Sequence, residues 1–297
     1  MFRRGIVLAY KRTRCINLTN QSIMSVSSAT LALLLKPRAP MECRDPQFPT
    51  IVLTESECKT FKFFCTPTFF IIIFPKTHTM HVGFFERTFS NFVRVDMEVE
   101  VDGKKVVFRC GEELFKAKCV MAHLDSPDNE HNMKVLDAVL NAAEPKIAKK
   151  ASSDIHGFKA GNWNSQSYHI MFLIQLLKFT NDEFRMFVLQ LVDIAKHFAI
   201  KPETVSFMEA TSRDDLWGTG VRIEDVYSQI CADGVANFKG RNLLGKAIGD
   251  AFVELASHNY VGLDESMDEF VARIMSKDGF RLFEIEHPAK RAKTTAD

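Results

Sequence analysis

The sequence predicts a mainly helical α+β fold, a single domain with a small β-hairpin or sheet at one side. Apolar residues recur at helical spacing through most of 112–257, whereas strict alternation is confined to 96–108. The Phe- and Ile-rich run at 61–75 contains no unbroken apolar stretch longer than 69–74. That is far below the roughly 20 residues that a membrane helix needs.

The elements follow in order. In 96–108, Met97, Val99 and Val101 alternate with charge, Asp102-Gly103 breaks the pattern, and Val106-Val107-Phe108 resumes it: two strands on a tight turn. Residues 112–123 form a helix with Leu114, Phe115 and Cys119 on one side. Residues 133–143 and 145–151 are short helices, the second opening on Pro145, whose missing N–H costs nothing in a first turn. The longest pair, 166–179 and 182–198, divides at Thr180-Asn181, with Asn181 placed as an N-cap. Residues 205–210 are extended and lead into an acidic loop; helices over 242–257 and 266–276 close the domain before a polar tail.

Residues 1–79 read differently. There is no acidic residue from 1 to 41, while Arg3, Arg4, Lys11, Arg12, Arg14, Lys36 and Arg38 surround a serine cluster, the composition of a mitochondrial targeting segment. Within 61–75, Pro67 and Pro75 make a poor helix, and an exposed strand of that composition would aggregate. The expected division is therefore an N-terminal segment over 1–79, disordered, targeting or a gene-model artefact; a domain over 80–257; and a C-terminal helix and polar tail over 258–297.

With 38 basic against 37 acidic residues, no global field recommends a nucleic-acid backbone as partner. Seven cysteines without C-x-x-C spacing favour reduced thiols in the cytoplasm, or in mitochondria if 1–41 is a targeting segment, and argue against a zinc site. His123 and His131, near Asp125, Asp128 and Glu130, read as a polar loop. GxGxxG and GxxxxGK[ST] are absent, so no cofactor is expected; the scattered Cys and His and the short apolar runs likewise lead to the expectation of no metal and no membrane partner. Oligomeric state is not legible.

The chemistry concentrates in 208–220, MEATSRDDLWGTG. A core strand does not place Arg213, Asp214 and Asp215 immediately before Trp217, nor follow it with Gly218 and Gly220. Alone this is equally a solvated turn with a Trp anchor. It has company: FERTFSNF at 85–92, FRCGEELFKAK at 108–118, GNW at 161–163 and FKGRNLLG at 238–245. In this order and at these separations the chain, from about 84 to about 255, resembles the NADAR family, whose members cleave N-glycosidic bonds of phosphorylated ribosyl compounds or ADP-ribosyl adducts. The family's F-S-N-F is similar to Phe89–Phe92, its helical glutamate to Glu112, its Trp after a Phe-containing approach to Phe158 and Trp163. Its E-[AC]-[ST]-x-x-D-x-x-W-G-x-G is met at Glu209, Ala210, Thr211, Asp214, Trp217, Gly218 and Gly220, and its last block at Gly240, Asn242, Leu244 and Gly245, with Phe238 in place of the leading Trp. Departures fall on basic positions: Cys119 stands where the family carries Lys, with Lys118 one step earlier, Ser152-Ser153 replace Gly-Arg, and Phe252 replaces Arg.

The resemblance implies metal-independent hydrolysis. Cleaving an N-ribosidic bond means stabilising an oxocarbenium-like sugar, aiming a water at the anomeric carbon and helping the base depart. Glu112 and Asp214, on different elements, are the expected acidic pair. Glu113 and Asp215 are read as solvated or salt-bridged, and Glu209 as orienting Arg213 or Asn91. Trp163 and Trp217, the only tryptophans, are expected as pocket walls or, for either one alone, as core anchors. Asn91, Arg213, Asn242 and Lys118 complete the expected substrate-binding set. The substrate is a ribosylated or ADP-ribosylated small molecule, with ADP-ribosylated nucleic acid as a further class; the rival is a catalytically weakened module that binds ADP-ribose or a nucleotide.

Overall fold

A computed structural model describes residues 27–44, 52–61, 68–86, 88–101, 104–124, 129–234 and 238–261. The elements run α1 (Ser28–Leu35), β1 (Val52–Thr54), α2 (Glu55–Cys58), β2 (Phe69–Phe74), β3 (Thr79–Phe84), β4 (Arg94–Val101), β5 (Lys104–Cys110), α3 (Gly111–Met121), α4 (Asn129–Leu140), α5 (Pro145–Ala151), α6 (Ala160–Lys178), α7 (Asp182–His197), β6 (Val205–Glu209), α8 (Ile223–Asp233) and α9 (Leu243–Val261). The mainly helical α+β expectation holds. Helices α3 to α7 and strand β6 lie where the periodicity puts them. Helix α8 escaped that reading, and residues 266–276, the tail and the targeting-like segment to 26 lie outside the described residues, as does the turn at 102 and 103.

Two sheets organise the chain. Strands β4 and β5 pair antiparallel, with Met97 opposite Phe108 and Val101 opposite Lys104. The second sheet has the order β1-β2-β3-β6, with β2 and β3 antiparallel and β3 and β6 parallel. Helix α9 lies against β6 and α6, and α3 against α4, α5 and α6.

The expected boundary at residue 80 is corrected here. Strand β2 is an interior strand, and all six of its residues are buried. Its two faces serve two cores: Phe69, Ile71 and Ile73 join the large helical core, while Phe70, Ile72 and Phe74 pack with Ile223, Val226 and Ile230 of α8. A strand covered on both faces needs no alternation of polar residues, so its sequence reads as a continuous apolar run. Further upstream, Leu34 and Met41 enter the large core, and Arg38 donates to the fully buried Glu113 at 3.0 Å. Arg109 meets the same carboxylate from its backbone N–H at 2.7 Å and its guanidinium at 2.7 Å. Residues 28–41 therefore strap the β5–α3 junction, and Glu113 is salt-bridged and buried, not solvated.

Candidate active site

The β5–α3 junction sets the first carboxylate. Glu112 sits in the first turn of α3, where the unpaired backbone N–H groups and helix dipole favour negative charge. Its own N–H donates to Asn91 O at 2.9 Å, which ties α3 to the Phe89–Phe92 turn. That turn is held from behind by Lys178 of α6, whose ammonium donates to Phe89 O at 3.1 Å, Ser90 O at 3.3 Å and Gln175 Oε1 at 3.2 Å. Burial nevertheless pushes the Lys178 amine down to about 7. Gln175 also donates to Asn91 Oδ1 at 3.1 Å, fixing the Asn91 amide at the cleft floor.

The second and third carboxylates come from β6 and the loop after it. Asp214 Oδ1 accepts from Trp217 N at 2.8 Å and Leu216 N at 3.2 Å, closing a side-chain-capped turn that sets the Trp217 ring. Its Oδ2 lies 3.4 Å from Lys149 Nζ of α5. Gly218 permits this loop to close: a Cβ there would stand 2.2 Å from Thr211 Cγ2. Glu209 ends β6, enclosed by protein except where it opens to the cleft. Burial, reinforced by Asp214 and Glu112, pushes its carboxyl up to about 8, against the opposing pull of Lys149 and Lys178. Burial lowers the Lys149 amine, but Glu112, Asp214 and Glu209 outweigh it and hold that amine above its ordinary value.

Around these groups is a cavity of about 330 Å³ whose walls include Glu112, Glu209, Asp214, Lys149, Arg213 and Trp217, with Asn91 and Lys116. Lys116, one helical turn after Glu112, reaches its carboxylate at 3.7 Å. Phe115 stands between the two tryptophans, 5.1 Å from each ring. The arrangement can hold a cationic sugar between carboxylates, present a protonated acid near neutral pH, and offer an aromatic face to a base.

The expected site residues therefore divide. Glu112, Asp214, Asn91, Arg213 and Trp217 share the cleft. Trp163 does not line it: it is buried behind Phe115 as an anchor of the core. Lys118 is fully buried on another side of α3, since two residues along a helix turn a side chain by about 200° from Lys116. Asn242 lies behind β6, where its amide donates to Phe207 O at 2.7 Å and accepts from Glu209 N at 3.1 Å, so both polar ends serve the backbone. It borders a larger cavity of about 970 Å³ against α9, whose walls carry none of the cleft's carboxylates. At the other departures, Phe252 is core and Cys119 is buried, with its thiol pushed up to about 12 by burial.

Sequence reasoning gave too little weight to Glu209 and missed Lys149 and Lys116 as cleft residues. Glu209 had a signal, since it heads the same motif as Asp214. The four-residue spacing of Pro145 and Lys149 fits a segment of the same family pattern, but nothing in that helix says what Lys149 faces, because its partners come from α3, β6 and the loop.

No helix among the described residues is long and apolar enough to cross a membrane, and Cys43, Cys58, Cys110, Cys119 and Cys231 are free thiols. Comparison with curated proteins finds no match. A family model described as the NADAR domain, of a family associated with N-glycosidase hydrolase activity, matches residues 73–255, more than half of the chain and all of the cleft. The match starts inside β2, upstream of the expected boundary. On that match, the chain belongs to the NADAR domain family.

Proposed function

We propose that this cleft hydrolyses the N-glycosidic bond of a ribosylated or ADP-ribosylated small molecule. The carrying observation is the convergence of Glu112, Glu209 and Asp214 from three elements on one cavity walled by Trp217. In the reaction water attacks the anomeric carbon, the C–N bond breaks with its electron pair going to the base, and the base takes up a proton. Glu112 is the group that stabilises the cationic sugar and takes a proton from the attacking water, since its described ion pair, to Lys116, is long at 3.7 Å. Glu209, held protonated near neutral pH, is the proton donor to the departing base. Asp214 gives both oxygens to Lys149 and its own turn, so its role is to position Trp217 and Lys149. This shifts the acidic pair expected from sequence toward Glu112 and Glu209.

The second reading is a binding module for ADP-ribose-like ligands. Favouring it, Lys149 is already engaged by Asp214, and Lys118 is buried away from the cavity. A panel of ribosylated bases, ribosyl phosphates and ADP-ribosylated compounds, assayed for released base or ADP-ribose, separates the two. Catalytic release from at least one class supports the hydrolase; saturable binding with no release across the panel supports the module.

A further inference from the structure

We propose that His131, Asp154 and His156 form a binding site for a divalent transition metal of the zinc class, apart from the cleft. His131 lies in the first turn of α4, and Asp154 and His156 on the turn that follows α5. One ligand atom from each lies within 4.8 Å of the others. The two imidazole rings are nearly parallel, at 12°, with centroids 3.6 Å apart. His131 Nε2 already reaches Asp154, at 2.8 Å from its carbonyl oxygen and 3.3 Å from Oδ2. Tetrahedral coordination at about 2.0–2.1 Å sets neighbouring ligand atoms about 3.3 Å apart, so the spacing suits an ion, and binding turns the stacked rings out of parallel until both in-plane lone pairs meet at the metal.

The backbone under these side chains is fixed in advance. Asn132, fully buried beside His131, accepts from His156 N at 2.9 Å and donates to His156 O at 3.1 Å and His123 O at 2.8 Å. It therefore locks the turn carrying Asp154 and His156 onto α4. Two imidazoles and one carboxylate match zinc and its neighbours, whereas calcium and magnesium require oxygen-rich sets. Asp154 and His156 are exposed, which leaves room for water as a fourth ligand. On binding, the Nε2 proton of His131 moves to Nδ1 and Nε2 presents its lone pair to the metal.

None of the three residues lines the cleft, and the chemistry proposed above does not use them. A bound ion would cross-link α4 to the turn after α5, the helix whose Lys149 faces Asp214. The site is thus a structural clamp on the cationic wall of the cleft.

The test uses the full chain, stripped with chelator, dialysed and titrated with zinc sulfate and with cobalt(II) chloride. The expected result is one tight equivalent of zinc, a tetrahedral-type cobalt d–d spectrum without a thiolate charge-transfer band, and a higher Tm. His131→Ala and His156→Ala should each weaken that equivalent by at least about tenfold while leaving circular dichroism unchanged. A hydrogen-bonded surface cluster only, shown by no stoichiometric zinc, overturns the proposal. So does an equivalent retained in the His131→Ala/His156→Ala double variant, or a cobalt spectrum dominated by thiolate ligation.

Discussion

The loop at 214–220 and the segment at 240–245, a loop that runs into α9, carry the same kinds of residue, glycines around a polar or aromatic side chain, yet they do opposite work. The first lines the cleft with Asp214 and Trp217. The second lies behind it and donates five backbone hydrogen bonds to it: Gly240 to Thr219 O, Arg241 to Asp215 O, Asn242 to Gly218 O, Leu243 to Leu216 O and Leu244 to Trp217 O. The approach is so close that a Cβ on Gly240 would stand 2.4 Å from Gly218 O. From the second loop only the Leu244 side chain reaches the cavity. A recurrent motif thus marks a constraint, and geometry decides whether the constraint is chemistry or support.

The largest test of that division removes support and spares every lining residue. Deleting residues 1–79 takes away β1, β2 and the Arg38 strap, none of which touches the cavity. The six buried side chains of β2 are worth roughly 10 kcal/mol of burial, comparable with the whole stability of a domain. The truncated chain should fail to give a soluble, cooperatively melting protein. Normal circular dichroism and a full-length-like Tm would show that β2 is dispensable.

Asn242→Ala is the smaller version on the supporting side. It leaves Phe207 O and Glu209 N without their side-chain partner, a cost of about 1–3 kcal/mol each. Chemical denaturation should show the loss, with ligand affinity of the folded fraction nearly unchanged. On the lining side, Trp217→Ala should keep a cooperatively melting fold, at a Tm lowered by the lost packing on Phe115, and weaken ligand binding by roughly 1–3 kcal/mol, the scale of base–aromatic stacking. With Trp163→Phe as background, ADP-ribose should quench the remaining Trp217 fluorescence. The comparison breaks if Asn242→Ala weakens binding and Trp217→Ala unfolds the protein.

A separate test of the lining side is the pH dependence set by Glu209. Its folded pKa, about 8, lies above the ordinary 4.5, so the folded state holds the proton more tightly than the unfolded one. Its contribution to stability is complete below about pH 4.5 and is lost as pH rises through about 8. Glu209→Gln should flatten that decline in a urea titration repeated across the range. If Glu209 is the proton donor, wild-type turnover falls above about pH 8, and Glu209→Gln loses that alkaline limb together with most of its activity.

Much of this was legible in the sequence because it is local. The hairpin alternation, Pro145 at the start of α5 and Asn181 as the N-cap of α7, accepting from Phe184 N at 3.1 Å, are decided by neighbours in the chain. So was the clustering of Arg213, Asp214 and Trp217 in one loop, which the structure places on one cavity. What failed depended on contacts between distant segments. A run of Phe and Ile has no internal sign that two cores wait on its faces, and two steps along α3 separate Lys116, which lines the cleft, from buried Lys118 without any mark in composition. The backbone role of Asn242 has no local sign, because its partners, Phe207 and Glu209, arrive from a strand more than thirty residues away.

Hydrolysis through Glu112 is put to the test by Glu112→Gln, which preserves shape and removes charge. Turnover and ligand affinity should be measured on the same preparation, using the ribosylated compound the wild-type chain cleaves fastest. Turnover should fall by about two or more decades, the scale of general acid–base catalysis, with affinity changed little. A variant that binds and turns over like wild type would remove Glu112 from the reaction.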